Sequence, residues 1–348
     1  MKTIRIIAIL LSMILCIGAF GCKAQTQEPT AEPTAAPEAT AEPEPTAEPD
    51  ADLPEVDLGE YRLEKSDSNT YAYVVRTPHA TWHLAAADIE LMGEEAFFAG
   101  LREILANQEA DFADAIAALD GYLTEVPVID VYTDFSGRTE KAQLGAYGAY
   151  CRWNIPNIEV YNDFTMAKMA LLHEYTHYLT HRCFAYEIDS TFWSEAIAEY
   201  VSRIVCKNRM ACSVVSEEEL MQVAAQGMTD PDGSPSMEKA YRGWAAMIRA
   251  GALIGAVYST VSQAPMTMTE QQFEHPMLTT LSYYEAGCFF DWLVERYGKE
   301  LVFANMTIGQ GEFREVFGED FETLFFEWAA DNQAFCTENG LKLIGSED

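Results

Sequence analysis

The chain has 348 residues, 55 of them acidic against 22 basic, for a formal charge of −33. So large a negative excess excludes a nucleic-acid partner and excludes adhesion to anionic lipid by charge alone. With 49% of its residues hydrophobic, the chain can still build one large or two closely packed cores.

Residues 1–21 read as an export signal: Lys2 and Arg5, then an apolar run from Ile6 to Phe20 that is short for a membrane span. The run ends Gly18-Ala19-Phe20-Gly21-Cys22, which resembles a bacterial lipobox, although Ala19 stands where Leu is usual and Phe20 is bulky. Lipid on Cys22 would anchor the protein to the membrane surface without spanning it, on the extracytoplasmic side. Residues 22–57 mix Pro, Thr, Glu and Ala with almost no large apolar side chain. They are expected to stay extended as a spacer, since they bury too little surface to offset ordering.

Residues 58–348 are expected to form the folded domain. Alternation at Tyr71, Tyr73 and Val75, then Trp82 and Leu84, predicts strands within 71–88. Leu101, Ile104, Leu105, Phe112, Ile116 and Leu119 predict helices over 93–122. Strands follow at Val126 to Tyr132 and Ile158 to Tyr161. Asn162 or Asp163 can cap a helix with Met169, Leu172, Tyr175 and Leu179 as its apolar stripe, and Asp189 or Ser190 can cap another running to about Lys207. Further helices are expected at 217–227, 238–262, 280–297 and 320–335. Strands first and helices after predict an α+β fold with the site in the cleft between the two parts. Beyond Cys22 lie Cys151, Cys183, Cys206, Cys212, Cys288 and Cys336. An exported chain can pair these, Cys206 with Cys212 most locally, while the absence of C-x-x-C argues against a thiolate metal cluster.

The stretch His173-Glu174-Tyr175-Thr176-His177 has the H-E-x-x-H form. On a helix, four residues advance about 400°, so the two imidazoles lie one turn apart on one face and can grip one metal ion. Glu174 sits where it can deprotonate a water held by that ion. A catalytic zinc needs a third protein ligand. A His six residues beyond His177 would serve, but that position is Cys183, and Thr180 stands where that pattern has Gly. The alternative is a carboxylate from the next helix, where Trp193-Ser194-Glu195-Ala196-Ile197-Ala198-Glu199-Tyr200 supplies Glu195 as third ligand. Glu199, one turn on, can accept a hydrogen bond from the other ring nitrogen of His173 and so orient it. His181 continues the four-residue spacing as a surface or supporting position, and His79, His83 and His275 read as structural. Tyr147, Tyr150 and Trp153 are candidates to line the cleft.

H-E-x-x-H followed by W-x-E-x-x-x-E-Y resembles the gluzincin metallopeptidases, the group of thermolysin-like, aminopeptidase-N-like and peptidase-MA-like enzymes. The likeness covers roughly residues 125–335. It implies a zincin-like fold: an N-terminal mixed sheet with the active-site helix, then a C-terminal helical subdomain. It also implies Zn2+ on His173, His177 and Glu195, with Glu174 as general base for peptide-bond hydrolysis. Tyr284-Glu285-Ala286-Gly287 is similar to the Y-x-x-G whose tyrosine stabilises the oxyanion, which implies that role for Tyr284, with Tyr283 as its neighbour. The likeness further implies an edge strand that pairs with substrate backbone, assigned to Ile158–Tyr161. Ala196 replaces the Gly usual in aminopeptidase-like members, and the G-x-M-E-N run that holds a free amine is absent. An aminopeptidase is therefore not implied, and endopeptidase or narrower action stays open, on peptides, proteins or cell-wall peptides. The alternative from another class is a non-catalytic zinc-site lipoprotein that serves as a binding or surface interaction module.

Overall fold

The computed structural model describes residues 53–143, 149–152, 155–207 and 276–338. The expected signal segment, Cys22, most of the expected spacer, the helices expected at 217–227 and 238–262, and Tyr147, Trp153, Cys212 and His275 lie outside the described residues.

Six strands form one mixed sheet: β1 (Leu63–Lys65), β2 (Tyr71–Arg76), β3 (Ala80–Ala85), β4 (Ile129–Asp134), β5 (Ala149–Arg152) and β6 (Asn157–Tyr161), in the order β1-β2-β3-β4-β6-β5. β3, β4 and β6 run parallel, while β1, β2 and β5 are antiparallel to their neighbours. The register aligns Val75, Trp82, Val131, Ile158 and Cys151 in a row across the sheet, and all five are buried. Side chains alternate between faces along a strand, so this row defines the face turned to the core.

Helices α1 (Ala86–Met92) and α2 (Glu94–Ala118) connect β3 to β4. The apolar positions of α2 are buried at Leu101, Ile104, Leu105 and Phe112. Trp82 Nε1 donates to Gln108 Oε1 at 2.6 Å, which satisfies a buried indole and pins this helix to the sheet. A short helix α3 (Glu140–Gln143) precedes β5.

From β6 the chain turns directly into α4 (Phe164–Arg182). Asn162 takes a positive φ of 65°, a conformation that Asn tolerates better than most residues. Asp163 then caps the helix, its side chain accepting from Met166 N at 2.8 Å. α4 is buried around nearly its whole circumference, including the expected stripe Met169, Leu172, Tyr175 and Leu179. Its buried set includes polar side chains, Lys168, His173, Thr176, His177 and Thr180, which need partners inside the fold. Phe112 of α2 stacks on Tyr175 with centroids 3.8 Å apart, and β5, β6 and α5 (Thr191–Glu199) also pack against α4.

Ser190 caps α5, accepting from Trp193 N at 3.3 Å. The helix passes into a π-helical turn, Tyr200–Val205. α6 (Pro276–Tyr297) packs on α5, followed by α7 (Lys299–Phe303), α8 (Phe313–Phe317) and α9 (Phe321–Glu338). An aromatic cluster fastens this end: Trp193 stacks on Phe313 and donates its indole N–H to Ile308 O at 2.9 Å, and Phe289 packs among Phe321, Phe325 and Trp328.

The α+β class expected from the order of elements is what the chain adopts, with a mixed sheet. One expectation is corrected. Ile158–Tyr161 is not an edge, because β6 is hydrogen-bonded on both sides, and among the described residues β5 is the terminal strand at this end of the sheet, as β1 is at the other. Among the described residues no disulfide joins two cysteines; Cys151, Cys183, Cys206 and Cys288 are all buried. No described helix is long and apolar enough to cross a membrane.

Candidate metal centre

α4 presents His173 and His177 on one face, with ring centroids 4.6 Å apart. α5 returns alongside and brings Glu195 to both. His173 Nε2 lies 3.0 Å from Glu195 Oε2, and His177 Nε2 lies 3.2 Å from the same oxygen. One ligand atom from each of the three falls within 4.8 Å of the others. Ligands bonded at about 2.0–2.1 Å in a tetrahedron stand roughly 3.3 Å apart. The two contacts to Glu195 are therefore of the size that a single shared ion requires. Two imidazole nitrogens and one carboxylate form a donor set that zinc, iron(II) and other divalent first-row metals accept.

The electrostatics favour positive charge at this point. Burial acts to lower the pKa of His173, but Glu195 and Glu199 outweigh it and push it up to about 10. Burial acts to raise Glu195, but His177 and His173 hold its carboxyl well below the usual carboxylate range. A proton on this cluster occupies the electrostatic position that a cation would take.

Each imidazole is supported on its other nitrogen. His173 Nδ1 lies 2.9 Å from Glu199 Oε1, close in distance but oblique in angle. Glu199 is 1% exposed and is flanked on its other side by Arg203, whose Nε stands 3.6 Å from Oε2. Arg203 Nη2 also donates to Met169 O on α4 at 2.9 Å, so this guanidinium ties the two helices together behind the ligands. Sequence reasoning missed Arg203. Its signal is the four-residue spacing from Glu199, which puts acid and base on one helical face. His177 Nδ1 meets Ser194 Oγ at 3.1 Å, and Ser194 Oγ meets His181 Nε2 at 2.7 Å. Burial lowers the pKa of His181 to about 3, with the nearby His177 adding to the effect, so its ring is neutral. Ser194 was also missed, and nothing in its spacing distinguishes it.

Glu174 lies within electrostatic reach of His177, His173 and Glu195 and is held at the same time by the sheet. Cys151 N–H on β5 donates to Glu174 Oε2 at 2.8 Å. Burial raises the pKa of Glu174, and the two histidines and the Cys151 N–H only partly offset this. The result is a carboxyl that holds a proton more readily than a free one.

On α6, Tyr283 is buried with its ring centroid 6.4 Å from that of His173. The side chain of Tyr284, expected at the oxyanion, lies outside the described residues. Gly287 sits against α5: a Cβ there would lie 2.7 Å from Glu199 Cβ. Only a residue without a side chain allows α6 this close to the residue that supports His173. His79 pairs with Glu109 and His83 with Asp130, and neither belongs to the His173, His177 and Glu195 group.

No protein-family model matches the chain, and no curated protein matches it.

Proposed function

We propose that this protein is a zinc-dependent peptidase of gluzincin type, tethered through lipid on Cys22 to the outer surface of a bacterial cell membrane. The observation that carries the reading is the convergence of His173, His177 and Glu195 on one point, with the Glu174 carboxylate beside it. The mixed sheet, its antiparallel outermost strand and the buried helix that bears H-E-x-x-H support a zincin-like fold.

In this reading His173, His177 and Glu195 hold the ion, which when bound supplies a Lewis acid that polarises a carbonyl and acidifies a water. Glu174 receives the proton of the attacking water and passes it to the leaving amine nitrogen. Tyr284, or Tyr283 beside it, donates its hydroxyl to the developing oxyanion. The outer edge of β5, beyond which no described strand lies, takes the role first assigned to Ile158–Tyr161 and pairs with an extended substrate backbone. Glu199 and Arg203 keep the His173 ring in its ligating orientation.

The test is Glu174→Gln against wild type on a peptide library, with metal content measured in both. Loss of cleavage with zinc retained is expected. Unchanged cleavage would refute the base. A wild-type protein that binds zinc and cleaves neither peptides nor wall fragments would be a binding module. For the anchor, a clickable fatty acid should label the wild type in cells and leave Cys22→Ala unlabelled.

A further inference from the structure

The second ligand imidazole is supported differently from the first. His173 faces a carboxylate, whereas His177 faces a hydroxyl, which has one proton to give and can also accept. A serine hydroxyl can meet an imidazole nitrogen in two ways. If Ser194 donates to His177 Nδ1, the ring carries its proton on Nε2, and the atom aimed at Glu195 is no longer a ligand. If Ser194 accepts from Nδ1–H, Nε2 keeps its lone pair for a metal. Ser194 must then send its own proton elsewhere. His181 Nε2 is placed to receive it at 2.7 Å, the shorter of the two contacts.

We infer that Ser194 and His181 form a directional hydrogen-bond relay, His177 Nδ1–H to Ser194 Oγ and Ser194 O–H to His181 Nε2, that keeps His177 in its metal-ligating tautomer. Ser194 is 3% exposed and His177 5%, so water competes little for either contact. His181 follows His177 by one turn of α4, and their ring centroids lie 6.0 Å apart. Ser194 immediately precedes Glu195 on α5, so the relay also fixes how the two helices meet at the ligands. Both are positioning residues, and neither is a ligand.

This inference rests on the metal reading of His173, His177 and Glu195. Zn2+ and Co2+ affinities are to be measured by chelator competition for wild type, Ser194→Ala, Ser194→Thr, His181→Leu and the Ser194→Ala/His181→Leu pair. Ser194→Ala should weaken binding roughly 10- to 100-fold, the range typical of groups that orient a ligand. Ser194→Thr retains the hydroxyl and should stay within a few-fold of wild type. His181→Leu should weaken binding by a smaller factor. The pair should bind no more weakly than Ser194→Ala alone, because one relay can be lost only once. The visible spectrum of bound Co2+ should shift in Ser194→Ala and be restored in Ser194→Thr.

Wild-type affinity in Ser194→Ala, or losses in the pair that multiply, would overturn the relay. A wild type that binds neither ion would instead overturn the metal reading itself. If His181→Leu does not fold, the Ala and Thr replacements at position 194 decide the matter by themselves.

Discussion

Cys151 donates its backbone N–H to the carboxylate of Glu174, so the strand β5 holds the one acidic side chain of α4, which also lies within electrostatic reach of His173, His177 and Glu195. The contact spans 23 residues and depends on β5 lying beside α4. Glu174→Asp shortens the side chain by about 1.5 Å and withdraws it from that N–H. Peptide turnover should fall at least about 100-fold, while zinc affinity stays within a few-fold. Steady-state kinetics alongside chelator competition checks this, and a parallel loss of metal would count Glu174 among the ligands.

Metal binding should release protons. In the metal-free protein the pKa of His173 is lifted from 6.5 to about 10, with Glu195 and Glu199 overriding the opposing effect of burial. Its stabilising contribution is therefore complete below about pH 6.5 and is lost as pH rises through about 10. Glu195 is held below its usual 4.5, so its contribution is present above that value and is lost as pH falls. Zinc displaces the His173 proton, so affinity should climb as pH rises from 6 toward about 9. Calorimetric titration at pH 7 in buffers of different ionisation enthalpy should detect about one proton released per ion. No buffer dependence would contradict the paired arrangement.

Glu199→Ala should cost zinc affinity about 10- to 100-fold, because His173 loses the group that orients its ring. It should also destabilise the metal-free fold by about 3 kcal/mol, since the buried Arg203 loses its carboxylate. Glu199→Gln preserves the shape and should sit between the two in both measurements. Urea unfolding with and without chelator separates the contributions.

Gly287→Ala offers a diagnostic sign. Alanine favours a helix interior over glycine by about 1 kcal/mol, so an unconstrained site would be stabilised. Here the new methyl meets Glu199 Cβ at 2.7 Å. A loss of roughly 1–3 kcal/mol is expected instead, together with weaker zinc binding as the Glu199 carboxylate is displaced. A gain in stability would show that α6 can withdraw from α5 without cost.

The parts of this architecture that depend on neighbours in sequence were legible there. Asp163 and Ser190 cap the two site helices as their side-chain chemistry dictates, and His173, His177 and Glu195 converge as their spacing implied. What was not legible depends on partners distant in sequence. β5 is four residues, Ala-Tyr-Cys-Arg, too short for alternation to register, and its place outside β6 is a property of strand order. That is why Ile158–Tyr161 read as the edge. The Ser194–His181 contact likewise exists only because α4 and α5 run side by side, and no local pattern announces it.

The π-helical turn Tyr200–Val205 has a consequence for chain length. A π turn carries a surplus residue, and removing one position from this stretch would restore ordinary winding. The wider winding absorbs that residue, so its removal should leave Glu195 and Glu199 on the face that they now present. Substitutions should cost more than such a deletion of a surplus position, because Tyr200, Val201, Ser202, Arg203 and Ile204 are buried and Arg203 backs Glu199.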